Sequence, residues 1–519
     1  MAEADSLQNK VLEFLEKPAS YSPAPATVGR IETHASIVFL AGDFAYKVKR
    51  SVKYPFLDFS TLAKRHAACL NELRVNRRTA PQLYLEVIPV TLGKSGALRL
   101  GGEGEPVEWV LRMRRFDQEA LYDRMAEEGR LELVTMPRLA AVIQAFHAAA
   151  DRALSPEQAV PPLAAILSDN EKELSADAEV ASHDAAIGFA RESRDRLAAL
   201  MPLLQARARG GYVRHCHGDL HLRNIVEIDG TPVLFDAIEF DDRLATIDVL
   251  YDLAFLLMDL GKRGLPAHAN AVLNAYLDAD GSTGNLIGLA TLPLFLSMRA
   301  AIRAKVELLR ARMAARAEAE AVRDEARAYF ALAQKFLTPV PSRLIAIGGL
   351  SGSGKSAIAR AIAPWLGAFP GAVIIRSDVE RKRLFGVAPQ DRLPSPAYAP
   401  EVSDQVYAMT RNRAMMALLG GQTAIVDAVH AKPEERKEVA ALAATLGVPF
   451  TGLWLDAPAK IMRDRVAARA GDVSDATPCV VEEQLGYDIG PQSFAVVDAG
   501  RPLEQVAADC LQRIGTSTA

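Results

Sequence analysis

Asp219, Asn224 and Asp236 have the types and spacing that phosphoryl transfer needs. The first two lie in Arg214-His215-Cys216-His217-Gly218-Asp219-Leu220-His221-Leu222-Arg223-Asn224, and the third ends the apolar run Val233-Leu234-Phe235-Asp236. In such a pattern one carboxylate faces the substrate hydroxyl, while an amide and a second carboxylate hold magnesium on nucleotide phosphates. A second phosphate-handling stretch is Gly349-Leu350-Ser351-Gly352-Ser353-Gly354-Lys355-Ser356, between the apolar run Arg343–Ile347 and helix-forming Ala357–Ala363. This is GxxxxGK[ST] in its strand–loop–helix setting. Its glycines let backbone N–H groups close around phosphate at the positive end of a helix. Lys355 would reach the β/γ-phosphates and Ser356 the magnesium. The sequence therefore predicts two Mg·ATP sites in one chain.

Competing readings of the first stretch are open to the same residues. His215, His217 and His221 could bind zinc, since imidazole is a common ligand. However, the spacing is not HExxH and no cysteine pair lies nearby. A purely structural loop is the other alternative. Only the transfer reading uses Asp219, Asn224 and Asp236 together. Upstream, Ser36–Leu40 and Phe44–Lys49 bracket Ala41-Gly42-Asp43 as a hairpin. Lys47 and Lys49 share a strand face, and Glu72 falls in the helical stretch Ser60–Arg78. A strand lysine paired with a helix glutamate orients ATP phosphates in kinases; an ordinary surface pair is the bland alternative.

Beyond Lys355 the pattern alternates strand and helix, which predicts a parallel α/β sheet with crossover helices. Asp378 and Asp427 each follow a strand end, the edge where open α/β sheets bind ligands. Asp427 would help place Mg²⁺ and Asp378 would face the acceptor hydroxyl; a helix N-cap is the alternative for each. Arg465 and Arg469 lie where a helix enters a lid-like stretch, Gly471–Ala476, and could neutralise the transferring group.

A length of 519 residues exceeds one ordinary core, and 50% apolar with 24% charged residues is a globular profile. The four scattered cysteines, the absence of a basic-apolar leader and the lack of an apolar run of about 18 residues predict a cytoplasmic protein without a membrane span. The net charge of −4 gives no pull toward polyanions. From Pro341 to Ala519 there are 19 Lys+Arg and 19 Asp+Glu. That balance argues against a nucleic-acid acceptor, which would call for a basic footprint. Residues 294–340 read as long helices with a solvated charged face, and a protein-partner role for them is the alternative. The expected division is a helix and connector over 1–29, a kinase domain over 30–293, a helical bridge over 294–340 and a P-loop domain over 341–519.

His217-Gly218-Asp219-Leu220-His221-x-x-Asn224 resembles the catalytic loop of the aminoglycoside phosphotransferase and choline-kinase-like family. Phe235-Asp236, Asp248-x-x-x-Asp252-Leu253-Ala254 and Phe44-Ala45-Tyr46-Lys47 resemble its following segments and its ATP-lysine strand. The resemblance spans roughly residues 30–335. It implies that Asp219 orients the hydroxyl, Asn224 and Asp236 ligate Mg²⁺, Lys47 touches the α/β-phosphates and Glu72 holds Lys47. It also implies that His217 braces the loop and that Asp248 and Asp252 are structural. There is no GxGxxG, and Phe-Asp-Ala replaces Asp-Phe-Gly, which favours a small-molecule acceptor over a protein. Residues 343–515 are similar to small P-loop kinases of the gluconate-kinase, polynucleotide-kinase and zeta-toxin-like kind, with Asp427 resembling a Walker B carboxylate.

The expected fold is thus an α+β, protein-kinase-like two-lobed domain followed by an α/β P-loop domain with a parallel sheet. The expected function is transfer of the γ-phosphoryl of Mg·ATP to hydroxyls of small molecules at two sites. The alternatives are a nucleotide-controlled switch with a degenerate kinase domain, and a C-terminal nucleic-acid 5′-hydroxyl kinase.

Overall fold

The structure is a computed structural model that describes residues 2–33, 35–54, 57–153, 161–468 and 473–515. It divides into two compact units: Met1–Glu132 with Ala145–Ala159 and Gly211–Asp252, and Leu133–Gln144 with Val160–Gly210 and Leu253–Ala519.

The first unit is built on a six-stranded antiparallel sheet. Its strands are β1 (Val28–Glu32), β2 (Ser36–Ala41), β3 (Phe44–Lys49), β4 (Tyr84–Leu92), β5 (Leu98–Leu100) and β6 (Glu105–Arg114), in the order β1-β2-β3-β6-β4-β5. Gly42 turns β2 into β3 with φ +59, a conformation glycine takes without a Cβ penalty. Helix α1 (Ala2–Leu15) belongs to this core rather than lying outside it. Val11 and Leu15 are fully buried among Tyr21, Ile37, Phe39 and Val110. Its Gln8 amide donates to Lys49 O (3.0 Å) and Glu108 Oε2 (2.7 Å) and accepts from Ser51 N (2.8 Å). Glu108 in turn pairs with buried Arg65 at 2.9 Å. Thr61 caps helix α2 (Leu62–Asn76) by accepting from Lys64 N, and that helix delivers buried Glu72 beneath β3.

Two small two-stranded sheets carry the remaining loops of this unit. Ile225–Ile228 pairs with Thr231–Leu234 around Asp229-Gly230, both at positive φ, as a two-residue hairpin turn requires. Val213–His215 pairs with Thr246–Asp248.

In the second unit, helices α3 (Pro266–Asp280), α4 (Leu292–Met313) and α5 (Arg316–Leu337) precede a five-stranded parallel sheet. The stretch expected as a bridge is an α4–α5 hairpin closed by a two-residue connection, with Ser297 Oγ bonded to Ala333 O at 2.8 Å. Leu292, Phe295, Leu296, Met298 and Leu308 of α4 are buried, so this helix is core and not a solvated connector. The stretch Thr283–Met313 is long and apolar enough by composition to cross a membrane, and its most apolar window is largely buried inside the unit.

The parallel sheet comprises β7 (Leu344–Gly348), β8 (Val373–Arg376), β9 (Ala424–Asp427), β10 (Phe450–Asp456) and β11 (Ala495–Asp498), ordered β8-β9-β7-β10-β11. All five residues of β7 are buried, as a central parallel strand demands. Helices α6 (Lys355–Ile362), α7 (Ser377–Leu384), α8 (Pro400–Leu419) and α9 (Ala459–Ala467) follow β7, β8, the 385–399 loop and β10. The free edge of β8 is covered by side chains of α3. Asn274 Oδ1 accepts from Ile374 N (2.7 Å) and its Nδ2 donates to Ala372 O (3.1 Å). Asn270 Nδ2 donates to Pro370 O and Ala372 O, both at 3.1 Å. Two side-chain amides thus stand where a neighbouring strand would be.

Two stability predictions arise. Glu108→Ala leaves Arg65 buried without its anion and should cost about 3–5 kcal/mol in the first unit, read by denaturant unfolding. A fragment beginning at Pro341 exposes the β8 edge and should unfold at lower denaturant than the same domain in the full chain, whereas Asn274→Ala in the full chain should cost about 1–3 kcal/mol.

Candidate active sites

In the first unit, Lys47 Nζ lies 2.7 Å from Glu72 Oε1 and 2.8 Å from Asp236 Oδ1. Lys49, on the same face, meets Glu72 Oε2 at 2.5 Å and also pairs with Glu239. Burial alone would raise the Glu72 carboxyl, but Lys47 and Lys49 hold it well below the ordinary carboxylate range. Burial likewise opposes the charge on Lys47, and Asp236 with Glu72 more than restores it. The sequence pointed to Lys47 and Glu72; it missed that Lys49 and Glu239 extend the pair into a chain of alternating charge.

Asp236 sits at φ +59, a strained choice for a residue with a side chain. Neighbours fix it there: Asp236 N donates to Tyr84 Oη (3.0 Å) and Ala237 N to Asn76 Oδ1 (2.8 Å). The catalytic-loop residues are close by in the chain of bonds. Phe235 N donates to Asn224 O (3.0 Å), and Asn224 Nδ2 donates to Asp219 Oδ2 (3.0 Å). Asn224 Nδ2 also donates to Asp219 O (2.9 Å). His217 Nε2 contacts Phe235 O at 2.9 Å, and burial pushes its pKa below the ordinary value, which suits a neutral brace.

The three histidines do not converge on one point. His217 faces Phe235 O, His221 faces Asp219 (3.3 Å) and His215 faces Asp242 (3.6 Å). Asp248 accepts from Leu250 N (2.8 Å) at the start of its helix, whereas Asp252 reaches the loop itself. Its carboxylate accepts from Gly218 N (2.8 Å) and His217 N (3.1 Å) and contacts His147 Nε2 at 3.1 Å. Gly218, at φ +83, has no room for a Cβ, which would stand 2.9 Å from Ile238. Asp252 therefore sets the backbone path on which Asp219 depends.

In the second unit, the 349–356 loop passes from β7 into α6. A Cβ at Gly349 would meet Leu455 O at 2.6 Å, and one at Gly352 would meet Met462 O at 2.4 Å. Lys355 Nζ donates to Gly349 O (2.7 Å) and Leu350 O (3.0 Å). Ser356 Oγ donates to Asp427 Oδ2 at 2.5 Å. A hydroxyl and a carboxylate brought together in this way are hard oxygen donors of the kind magnesium takes. Arg465 donates to Ser353 O (3.2 Å) and Ala499 O (3.0 Å), so it stands against the loop. Arg469 lies outside the described residues.

Asp378 is in the first turn of α7, and it lines a cavity of about 1020 Å³ together with Lys355, Ser356, Asp427 and Arg465. His430, three residues past Asp427, was not expected. It has φ +50, is 1% exposed, and has neither ring nitrogen hydrogen-bonded among the described residues. Burial first, and then the charges of Lys355 and Arg436, push its pKa down to about 3.

Two family models match the chain. The phosphotransferase enzyme family model matches residues 55–286, and an AAA domain model matches residues 344–487. A Mycobacterium tuberculosis protein titled uncharacterized is 31% identical over 484 residues, covering 91% of this chain and 93% of its own length. The chain belongs to that two-domain family. Its phosphotransferase-family domain is kinase-like α+β, and its C-terminal domain is a P-loop kinase-like α/β domain. Among solved structures it is similar to a choline/ethanolamine kinase family protein from Mesorhizobium loti, at 15% identity and TM-score 0.38 over 63% of this chain and 98% of that one. It is also similar to a sugar kinase from Janibacter, at 22% identity and TM-score 0.27 over 34% of this chain and 96% of that one.

Two measurements probe these domains. In the phosphotransferase-family domain, Asp252→Asn weakens two charge-assisted bonds to the loop backbone and should lower first-site turnover about 10–100-fold, with the ATP KM little changed. In the P-loop domain, His430 must stay neutral to fold. Its folded pKa lies below the ordinary 6.5, so its stabilising contribution is complete above pH 6.5 and is lost as pH falls toward about 3. The slope should approach about 1.4 kcal/mol per pH unit. His430→Asn, which tolerates positive φ, should flatten that slope in unfolding titrations.

Proposed function

We propose that the chain is an ATP-dependent phosphotransferase with two nucleotide sites, each delivering the γ-phosphoryl of ATP to a hydroxyl of a small molecule. The observation that carries this reading is the second-unit cavity, in which Lys355, the Ser356–Asp427 pair and Asp378 line one space. The first unit supports it with Lys47, Glu72, Asp236, Asn224 and Asp219 joined by contacts of 2.7–3.0 Å.

At each site the acceptor oxygen forms a bond to Pγ as the bond from Pγ to the β-bridging oxygen breaks. ADP leaves with that electron pair. The acceptor proton passes to Asp219 in the first site and to Asp378 in the second. Lys47 and Lys355 hold phosphate oxygens, and Arg465, beside the P-loop, balances charge on the transferring group. Asn224 with Asp236, and Ser356 with Asp427, would hold magnesium, which when bound offsets the charge of the phosphates. Opening of the Lys47–Asp236 contact frees both side chains for nucleotide.

Single variants of the full chain test the assignment, with labelled ATP and a panel of sugars, amino alcohols and nucleosides. Asp219→Ala should abolish one set of phosphorylated products and Lys355→Ala the other, each by at least about 10²-fold. If both variants kept every product at the parent rate, the assignment of these sites would be wrong.

A further inference from the structure

Helix α3 falls within residues 55–286, which the phosphotransferase family model matches, yet one of its faces serves the P-loop domain. Asn270, Asn274 and Asp278 follow at four-residue spacing and so lie along one side of the helix. The two asparagines border β8. One turn further on, the last carbonyls of α3 meet two guanidiniums. Arg383 of α7 donates to Asp278 O (3.0 Å) and stands 4.0 Å from the Asp278 carboxylate, while Arg413 of α8 donates to Gly281 O (2.7 Å). Gly281 ends α3 at φ +68, and a Cβ there would lie 3.1 Å from Arg383 Nε. Carbonyls at a helix C-terminus lack intrahelical donors and carry the negative end of the dipole, so cations are favoured there.

Both guanidiniums also grip α7. Glu380, 1% exposed, pairs with Arg383 on its own helix and lies 2.9 Å from Arg413 Nε. A carboxylate buried this far depends on its cations, and each of these cations has its other contact on α3. Glu380 shares the first turn of α7 with Asp378, which lines the cavity. The passage from β8 into α7 is therefore held by α3 along its length, at the strand by two amides and at the helix by two guanidiniums. On its other side, Lys382 of α7 pairs with Asp475 (2.8 Å), which also accepts from Leu393 N (3.1 Å) and Tyr398 Oη (2.6 Å). Those bonds tie loops to α7, whereas the Glu380 cluster ties α7 to a helix outside residues 344–487, which the AAA domain model matches.

We infer that α3 is a working part of the P-loop site: Glu380, Arg383 and Arg413 anchor α7 to its C-terminus and thereby set where Asp378 meets the acceptor hydroxyl. This rests on reading that site as a phosphotransferase. None of the three is among the described residues that line the cavity, so they are positioning residues that act through Asp378. Displacing a reacting group by about 1 Å can cost about 100-fold in rate, which is why the anchor matters for transfer. The P-loop domain of this chain thus takes its acceptor-side support from the phosphotransferase-matched stretch.

The test uses the full chain carrying Lys47→Met, so that only the second site turns over. Labelled ATP is offered with the panel of sugars, amino alcohols and nucleosides, and the product lost in Lys355→Ala reports that site. Arg383→Met should lower kcat for this product about tenfold or more, with the ATP KM within about twofold of the parent. Arg383→Lys, which keeps a cation at the end of α3, should retain most of the parent kcat. Arg413→Met should repeat the loss; Arg383, with 23% of its side chain exposed, carries the test if the more buried Arg413 variant fails to fold. In an Asp378→Ala background, Arg383→Met should change the residual kcat by less than about twofold, because its effect runs through the missing carboxylate. A kcat in Arg383→Met within about twofold of the parent overturns the inference and leaves the phosphotransferase reading standing. So does an undiminished loss in the Asp378→Ala background, which marks a merely structural role. Absence of any Lys355-dependent product overturns both.

Discussion

A carboxylate shut away from water needs donors on its oxygens, and both candidate sites are organised by that demand. Glu72 meets it with two lysines, Asp252 with two backbone amides, and Asp475 with a lysine, a tyrosine and an amide. In each case the donors lie on a segment other than the carboxylate's own, so satisfying the carboxylate also ties two stretches of the chain together. The groups proposed to meet the acceptor hydroxyl, Asp219 and Asp378, are instead partly open to solvent. Rigidity is concentrated one step behind the reacting groups.

The two proposed sites would meet phosphate by different physics. The first presents side-chain charge: a lysine on a strand, held by a helix glutamate, opposite an aspartate in a strained turn. The second presents backbone N–H groups on a glycine-rich path whose tight approach to Leu455 and Met462 excludes any larger residue at two positions. One depends on balanced ion pairs and the other on steric room for the main chain. Substitutions therefore act differently on them: a charge reversal disrupts the first, while a single methyl group is enough to deform the second.

What the sequence disclosed follows the range of the interactions. The turn at Gly42-Asp43 and the strand–loop–helix passage at 344–362 are local and could be read directly. Lys47 and Glu72 could be paired because a strand followed by a helix brings such residues together. Asp252 read as a helix residue, because its partners His217 and His147 lie 35 and 105 positions away. The partner of Gln8 on helix α1 could not be read, because Glu108 lies 100 residues away. Long-range polar pairing, rather than periodicity, was the illegible part.

The amides of Asn270 and Asn274 also bear on the order in which the chain is assembled. On a ribosome, α3 emerges about 100 residues ahead of the strand it borders. Until residues 372–374 leave the exit tunnel, its polar face has only water to bind, and the α/β sheet cannot acquire a finished border. Maturation of the second half is thus tied to elements made well before it.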